Sequence, residues 1–295
     1  METNKLDVKK EKGENYLIKN DKVVKVIKYD ASGDIEIQDT LNKSNTFSNV
    51  KKISKHEYVV LDTGEIRYYK SGTNKSQNDL RRSMKKLNQI LRNNFTGAGN
   101  ELYITLTTER DVTNIREIKE KFQQWWSIMK GEFKDLEFVA VYEKHTDRDS
   151  WHIHTMIKAK EHKRLYIPNN FIEEVWRYGF AKTNRIINTP TFNDIREDYR
   201  MVYRNKITER FGIDKVINYM CKTETKKEIP TGERCYDTSK GIKKPETESI
   251  RYDESRNQMG QDYKLATQYT SIIRNAETDA ILNKVKRETW KKIWL

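Results

Sequence analysis

Residues 150–158 read SWHIHTMIK, which places two histidines one residue apart in an otherwise apolar, strand-like run. The whole chain has only 5 His. Alternate side chains of a strand share a face, so His152 and His154 point the same way and their ring nitrogens can approach one cation. Two imidazoles on a rigid backbone are good ligands for a divalent metal. Just upstream, LEFVAVYEKH reads as a second strand with Val139, Val141 and Glu143 on one face. The segment TDRD between the two is a tight polar turn. An antiparallel hairpin then sets Glu143 opposite or diagonal to His152 and adds a carboxylate to the histidine face. Such a set leaves coordination positions open for substrate oxygens. Without a metal, the same residues would be two half-buried histidines paired with Glu143.

The elements that must position these residues can be read from periodicity. ELYITLTTER is a strand dense in β-branched and aromatic residues. Ile115, Ile118, Phe122, Trp125, Met129 and Phe133 give the next segment one apolar helical face, a core-packing pattern. IPNNFIEEVWRYG is a short helix, with Pro168 near its start and Gly179 after its end. FAKTNRII is a strand, TERFGIDKVINYMCKTE is helical with a break near Gly212, and GERCYDTSKGIKKP closes the domain as a strand. The order β-α-β-β-α-β-α-β predicts an α+β domain, a mostly antiparallel sheet with helices on one face, over residues 96–245.

Residues 1–75 form a small β-rich module, with EYVVLDTGEIRYYK as a hairpin turning at Asp62-Thr63-Gly64. Residues 76–95 are a basic amphipathic helix: Leu80, Met84, Leu87 and Leu91 form its stripe, and Arg81, Arg82, Lys85 and Lys86 lie off it. The tail, residues 246–295, reads as polar and then helical, with Leu265, Tyr269, Ile272, Ile273, Ile281, Leu282 and Val285 as an apolar stripe.

The 295 residues carry 57 Lys+Arg against 44 Asp+Glu, a formal charge of +13. A pI near 9.4 points to an anionic partner, nucleic acid above all. Two cysteines, Cys221 and Cys235, argue against a secreted disulfide scaffold. No apolar run is long enough to span a bilayer, and the start METNKLDVKKEKGE has no apolar signal core, so a cytoplasmic, bacterial protein without a membrane partner is expected.

Three segments, in order, resemble the motifs of the HUH endonucleases, the rolling-circle replication initiators. WHIHTMIK is similar to that family's His-hydrophobic-His motif, LYITLTTER to its first, apolar motif, and NYMCKTE to its third motif, Tyr-x-x-Lys on a helix. Residues 55–245 as a whole resemble plasmid and mobile-element initiators of low-GC Gram-positive bacteria. The resemblance implies a five-stranded antiparallel sheet with flanking helices, related to the RNA-recognition fold. It implies a metal held by His152, His154 and a third polar ligand, for which Glu143 fits. It also implies Tyr219 as nucleophile and Lys222 as its helper.

The chemistry suits those residue types. A phenol attacking a phosphodiester leaves a 5′-phosphotyrosine link and a free 3′-OH, and the link conserves the bond energy for rejoining. A Tyr with a reference pKa of about 10 needs a nearby cation to ionise, and Lys222 lies on the same helix face. Mg²⁺ prefers oxygen ligands, whereas two imidazoles tilt the choice towards Mn²⁺. Tyr199 and Tyr203 are lower-ranked rivals, since they precede the Tyr-x-x-Lys motif. Either a second subunit's Tyr219 or a water activated by Glu224 could perform a terminating cleavage. Arg81, Arg82, Lys85 and Lys86, with Lys226, Lys227, Arg234, Lys240, Lys243 and Lys244 near the expected site, are candidates to track the DNA backbone. Trp151 and Tyr236 could stack on unpaired bases, with packing the simpler role for each. The expected partners are origin DNA, a host helicase and polymerase, and a second copy of the chain. Competing readings are a non-catalytic nucleic-acid-binding module, a relaxase-type mobilisation protein and a two-His-one-carboxylate iron oxygenase. The last is poorly served by the positions of His56, His145 and His162.

Overall fold

The computed structural model describes residues 9–41, 50–54, 57–68, 74–162, 164–187, 211–275 and 278–293. The chain begins with β1 (Lys9–Gly13), β2 (Val23–Lys28), β3 (Ile35–Thr40), β4 (Val50–Lys52), β5 (Glu57–Val60) and β6 (Ile66–Tyr68). Then come α1 (Gln77–Asn94), β7 (Glu101–Leu106), α2 (Ile115–Glu132), β8 (Leu136–Lys144), β9 (Trp151–Ala159), α3 (Asn169–Val175) and β10 (Ala181–Ile187). After β11 (Phe211–Gly212) follow α4 (Ile213–Met220), a 3-10 turn (Glu224–Lys226) and β12 (Tyr236–Thr238). The chain finishes with β13 (Glu246–Arg251), α5 (Tyr252–Met259), β14 (Tyr263–Arg274) and β15 (Ile281–Lys292). Two compact units result: residues 72–244, and a unit assembled from residues 1–71 together with 245–295.

In the central unit, residues 72–244, the strands run β11-β10-β7-β9-β8-β12. Five of them are antiparallel, as expected, and β11 adds a two-residue parallel contact at the β10 edge. The expectation of helices on a single face is corrected. Phe122 and Trp126 of α2 pack on Phe138, and Phe122 also meets Tyr142, so α2 covers the face of β8 opposite Glu143. Tyr219, at the end of α4, meets His154 on the other face. The sheet can take helices on both sides because β8 and β9 are buried along nearly their whole length. The basic helix forms as read, with Ser76 Oγ accepting from the Asp79 N–H as its N-cap and Leu80, Met84, Leu87 and Leu91 buried.

The other unit departs further from expectation. The stretch read as a helical tail holds only α5, and its remainder is strand. β13, β14 and β15 join β1, β2 and β3 in one six-stranded antiparallel sheet, ordered β1-β14-β15-β3-β2-β13. The physical reason lies at β3. Residues Val285–Trp290 pair with Ile35–Thr40, so β15 covers what would be an open edge of the N-terminal strands. Trp290 then packs with Ile18, Val24, Val26, Ile35, Ile37 and Met259. The N-terminal module is therefore not self-contained, although its β content and the hairpin over β5 and β6, with Gly64 at φ 66, agree with the reading. No helix among the described residues is long and apolar enough to cross a membrane.

Trp290→Ala should lower the unfolding free energy of this unit by about 3–5 kcal/mol, the range for removing a large aromatic from a core. Urea titration reads the change. A loss under about 1 kcal/mol would mean that the C-terminal strands are not docked on the N-terminal ones.

Candidate metal centre and its tyrosine

The register of β8 on β9 pairs Glu143 with His152 and Val141 with His154. All three polar groups lie on one face and are buried. His152 Nε2 and His154 Nε2 stand 3.0 Å apart, and Glu143 Oε2 lies 3.9 Å and 3.6 Å from them. Two imidazole nitrogens bound at about 2.1 Å and at right angles on one ion stand about 3.0 Å apart, so the pair is already spaced for a shared cation. The carboxylate needs only a small further approach. Two neutral imidazoles and one carboxylate are a donor set for a divalent transition ion, and the cluster could hold one.

Burial keeps both rings neutral, which a ligand requires. It pushes the His152 pKa down to about 3, with the charges of His145, Lys226 and Arg148 adding to the effect. His154 is held well below its ordinary value, first by burial and then by the charge of His152. The far side of His154 is anchored: Tyr103 Oη lies 2.6 Å and Thr105 Oγ1 3.1 Å from Nδ1. Such contacts set which nitrogen faces the metal. His152 Nδ1 has no hydrogen-bond partner among the described residues; the ring is wedged instead against His145, centroid to centroid 4.1 Å.

Lys226 occupies a different place from the one expected of it. It was a candidate for the DNA backbone, but it is fully buried. Its Nζ donates to Glu143 Oε1 at 2.5 Å, to the Lys222 carbonyl at 2.8 Å and to Thr225 Oγ1 at 3.3 Å. An ammonium inside a protein needs such a partner, and the carboxylate provides it. The contact holds one carboxylate oxygen and leaves the other for the imidazoles.

The Tyr-x-x-Lys segment sits on α4, which is short and amphipathic. Val216, Ile217 and Met220 are buried, and Tyr219 is 39% exposed. Arg92 of α1 pairs with Asp214 in the first turn of α4 at 2.7 Å. The Tyr219 ring stands edge-on to His154 with centroids 5.0 Å apart, and Lys222 Nζ lies 5.0 Å from the Tyr219 centroid. Burial raises the Tyr219 pKa and the charge of Glu143 raises it further, so the phenol is protonated at neutral pH. A cleft of about 360 Å³ opens beside this tyrosine, floored by Tyr103, Thr105 and His154 and walled by Asn184, Val216 and Tyr219.

The remaining basic candidates, Arg81, Arg82, Lys85, Lys86, Lys227, Arg234, Lys240, Lys243 and Lys244, all have exposed side chains. Trp151 is core, its Nε1 donating to the Thr113 carbonyl, and Tyr236 is half-buried against the core. Tyr199 and Tyr203 lie outside the described residues. The reading of single segments missed Tyr103, Thr105 and Asn184. The signal was present in alternation: Thr105 pairs with His154 across β7 and β9, which puts Tyr103 on the same face.

Residues 101–208 match the model of a family of replication-associated proteins, the ORF2 type. That span takes in the metal cluster and stops short of α4. No curated protein and no solved structure matches the chain.

Mn²⁺ at about 100 times its dissociation constant should stabilise the protein by about 2.7 kcal/mol, seen as a raised melting temperature. His154→Ala should show no shift; an equal shift in that variant would place the ion elsewhere. Lys226→Met, which strands Glu143 in the interior, should lose about 3–5 kcal/mol of stability by denaturant titration.

Proposed function

We propose that the central unit is an HUH-type nuclease domain that nicks and rejoins single-stranded origin DNA through Tyr219 and so starts rolling-circle replication. The observation that carries this reading is the Tyr219 ring 5.0 Å from His154, one member of the Glu143-His152-His154 cluster. The match of residues 101–208 to a replication-associated family supports DNA as substrate, as does the charge of +13. The five antiparallel strands, with the histidine strand β9 between β7 and β8, suit the fold that the motifs imply.

Tyr219 Oη attacks the scissile phosphorus and its proton passes to solvent. The bond to the 3′ oxygen breaks, that oxygen takes up a proton, and a 5′-phosphotyrosine remains on the protein. A divalent ion held by His152, His154 and Glu143 would offset charge on the phosphate oxygens, with Mn²⁺ favoured by the imidazoles. Lys222, beside the phenol ring, steadies negative charge on Oη and on the phosphate. Tyr103 and Thr105 hold His154 in place, and Lys226 holds Glu143. Rejoining runs the same steps backwards, with a 3′-OH as nucleophile. The exposed basic face of α1 grips duplex beside the nick through its four cations. A host polymerase would extend the released 3′-OH, and a helicase would unwind ahead of it.

Incubation with a labelled origin oligonucleotide and Mn²⁺ should give a covalent protein–DNA band on a denaturing gel. Tyr219→Phe should abolish it, and Lys222→Ala should slow its formation by about 100-fold. Binding with no covalent band in any divalent metal would overturn the nuclease reading in favour of a non-catalytic binder. Replacing Arg81, Arg82, Lys85 and Lys86 by Gln should reduce the slope of log affinity against log salt by about 3–4, provided these side chains contact phosphates. An unchanged slope would remove α1 from the interface.

A further inference from the structure

Buried side-chain amides elsewhere in the central unit are satisfied. Asn94 Nδ2 donates to the Ile90 carbonyl and to the Lys243 carbonyl, both at 2.7 Å. Asn184 is different. Its side chain is 9% exposed, lines the cleft beside Tyr219, and makes no hydrogen bond among the described residues. Leaving a nearly buried amide unmatched is unfavourable, and such a group at the wall of a cleft is a recognition element awaiting a ligand.

The strand register says what that ligand adjoins. Asn184 on β10 pairs with Tyr103 on β7, and Lys182 pairs with Thr105, which pairs in turn with His154 on β9. Asn184 and Lys182 therefore stand on the face that carries the metal cluster, two strands away from it. Across the cleft are Val216 and Tyr219 of α4. A space of about 360 Å³ is at the small end of ligand sites and suits one planar group rather than a base pair. An amide offers a donor and an acceptor side by side, the complement of a base edge.

We propose that this cleft takes one unpaired base of the DNA strand, next to the phosphate that Tyr219 attacks, and that Asn184 reads it. The proposal rests on the nuclease reading for its location, although the binding it predicts needs no cleavage. Val216 supplies apolar contact to the base, and Lys182 brings positive charge to the cleft mouth for the flanking phosphate. Asn184 is thus a specificity residue for one position of the nick site.

The test uses the full chain carrying Tyr219→Phe, so that binding is read apart from nicking. A pool of single-stranded DNA with sixteen randomised positions is bound in Mn²⁺, and the retained strands are sequenced. One base at one position should be enriched about 10-fold in an Asn184-dependent way. Adding Asn184→Ala should return that position to random and leave the other enriched positions as they were. Adding Asn184→Asp, which replaces the donor by an acceptor, should move the preference at that same position to another base, a change that a merely structural role would not cause. No enriched position, a preference that survives both substitutions, or an equal fall at every position would overturn the proposal. A covalent adduct with wild-type protein alongside any of those results leaves the nuclease standing and removes only the base pocket. Asn184-dependent enrichment without an adduct does the reverse.

Discussion

The candidate site depends on one buried ion pair. The Lys226 ammonium reaches from the 3-10 turn to Glu143 on β8 and also holds the Lys222 carbonyl just past the end of α4. Helix ends leave carbonyls unsatisfied, and here a cation meets one of them. A single side chain therefore fixes both the carboxylate that faces the imidazoles and the helix that carries Tyr219. The pair is costly to form in the interior, and its partners must be well matched for it to persist. With neutral imidazoles, the side-chain charges of Glu143 and Lys226 cancel, so the pocket is close to electrically neutral until a cation enters.

The sheet supplies the rigidity that this arrangement needs. β9 lies between β7 and β8, so each histidine is fixed by hydrogen-bonded neighbours on both sides. The apolar slab of α2 covers one face, with Phe122, Trp125 and Trp126 seated under β8. The other face is left for polar groups. Alternation along each strand thus separates a packing surface from a chemical one, and sites built on strands hold tighter geometry than sites on loops.

Much of this division was legible in the sequence. The His152–His154 spacing, the Glu143 register and the apolar face of α2 each follow from strand or helix periodicity, and the structure reproduces all three. Two readings failed for physical reasons. In the C-terminal segment, Leu265, Tyr269 and Ile272 fall at helical spacing, but β14 is exposed on both faces over much of its length, so no alternation marks it. Its β-branched residues were the surer cue. Lys226 and Lys227 are adjacent and look alike on paper, yet one is buried and the other exposed. Nothing local separates them, because the partner that draws Lys226 inward, Glu143, lies 83 residues away.

The sheet of the second unit is closed by strands from opposite ends of the chain, with β15 seated against β3. About 240 residues separate these two neighbours in sequence. At ribosomal speeds of about 5–20 residues per second, β3 leaves the ribosome some 10–50 s before its partner exists. In that interval Ile35 and Ile37 lack the strand that later covers them. The central unit, by contrast, has all of its strands from β7 to β12 in hand by then. Maturation of this protein is therefore ordered: the half that carries the histidines can settle first, and the other half is sealed only by the last strand made.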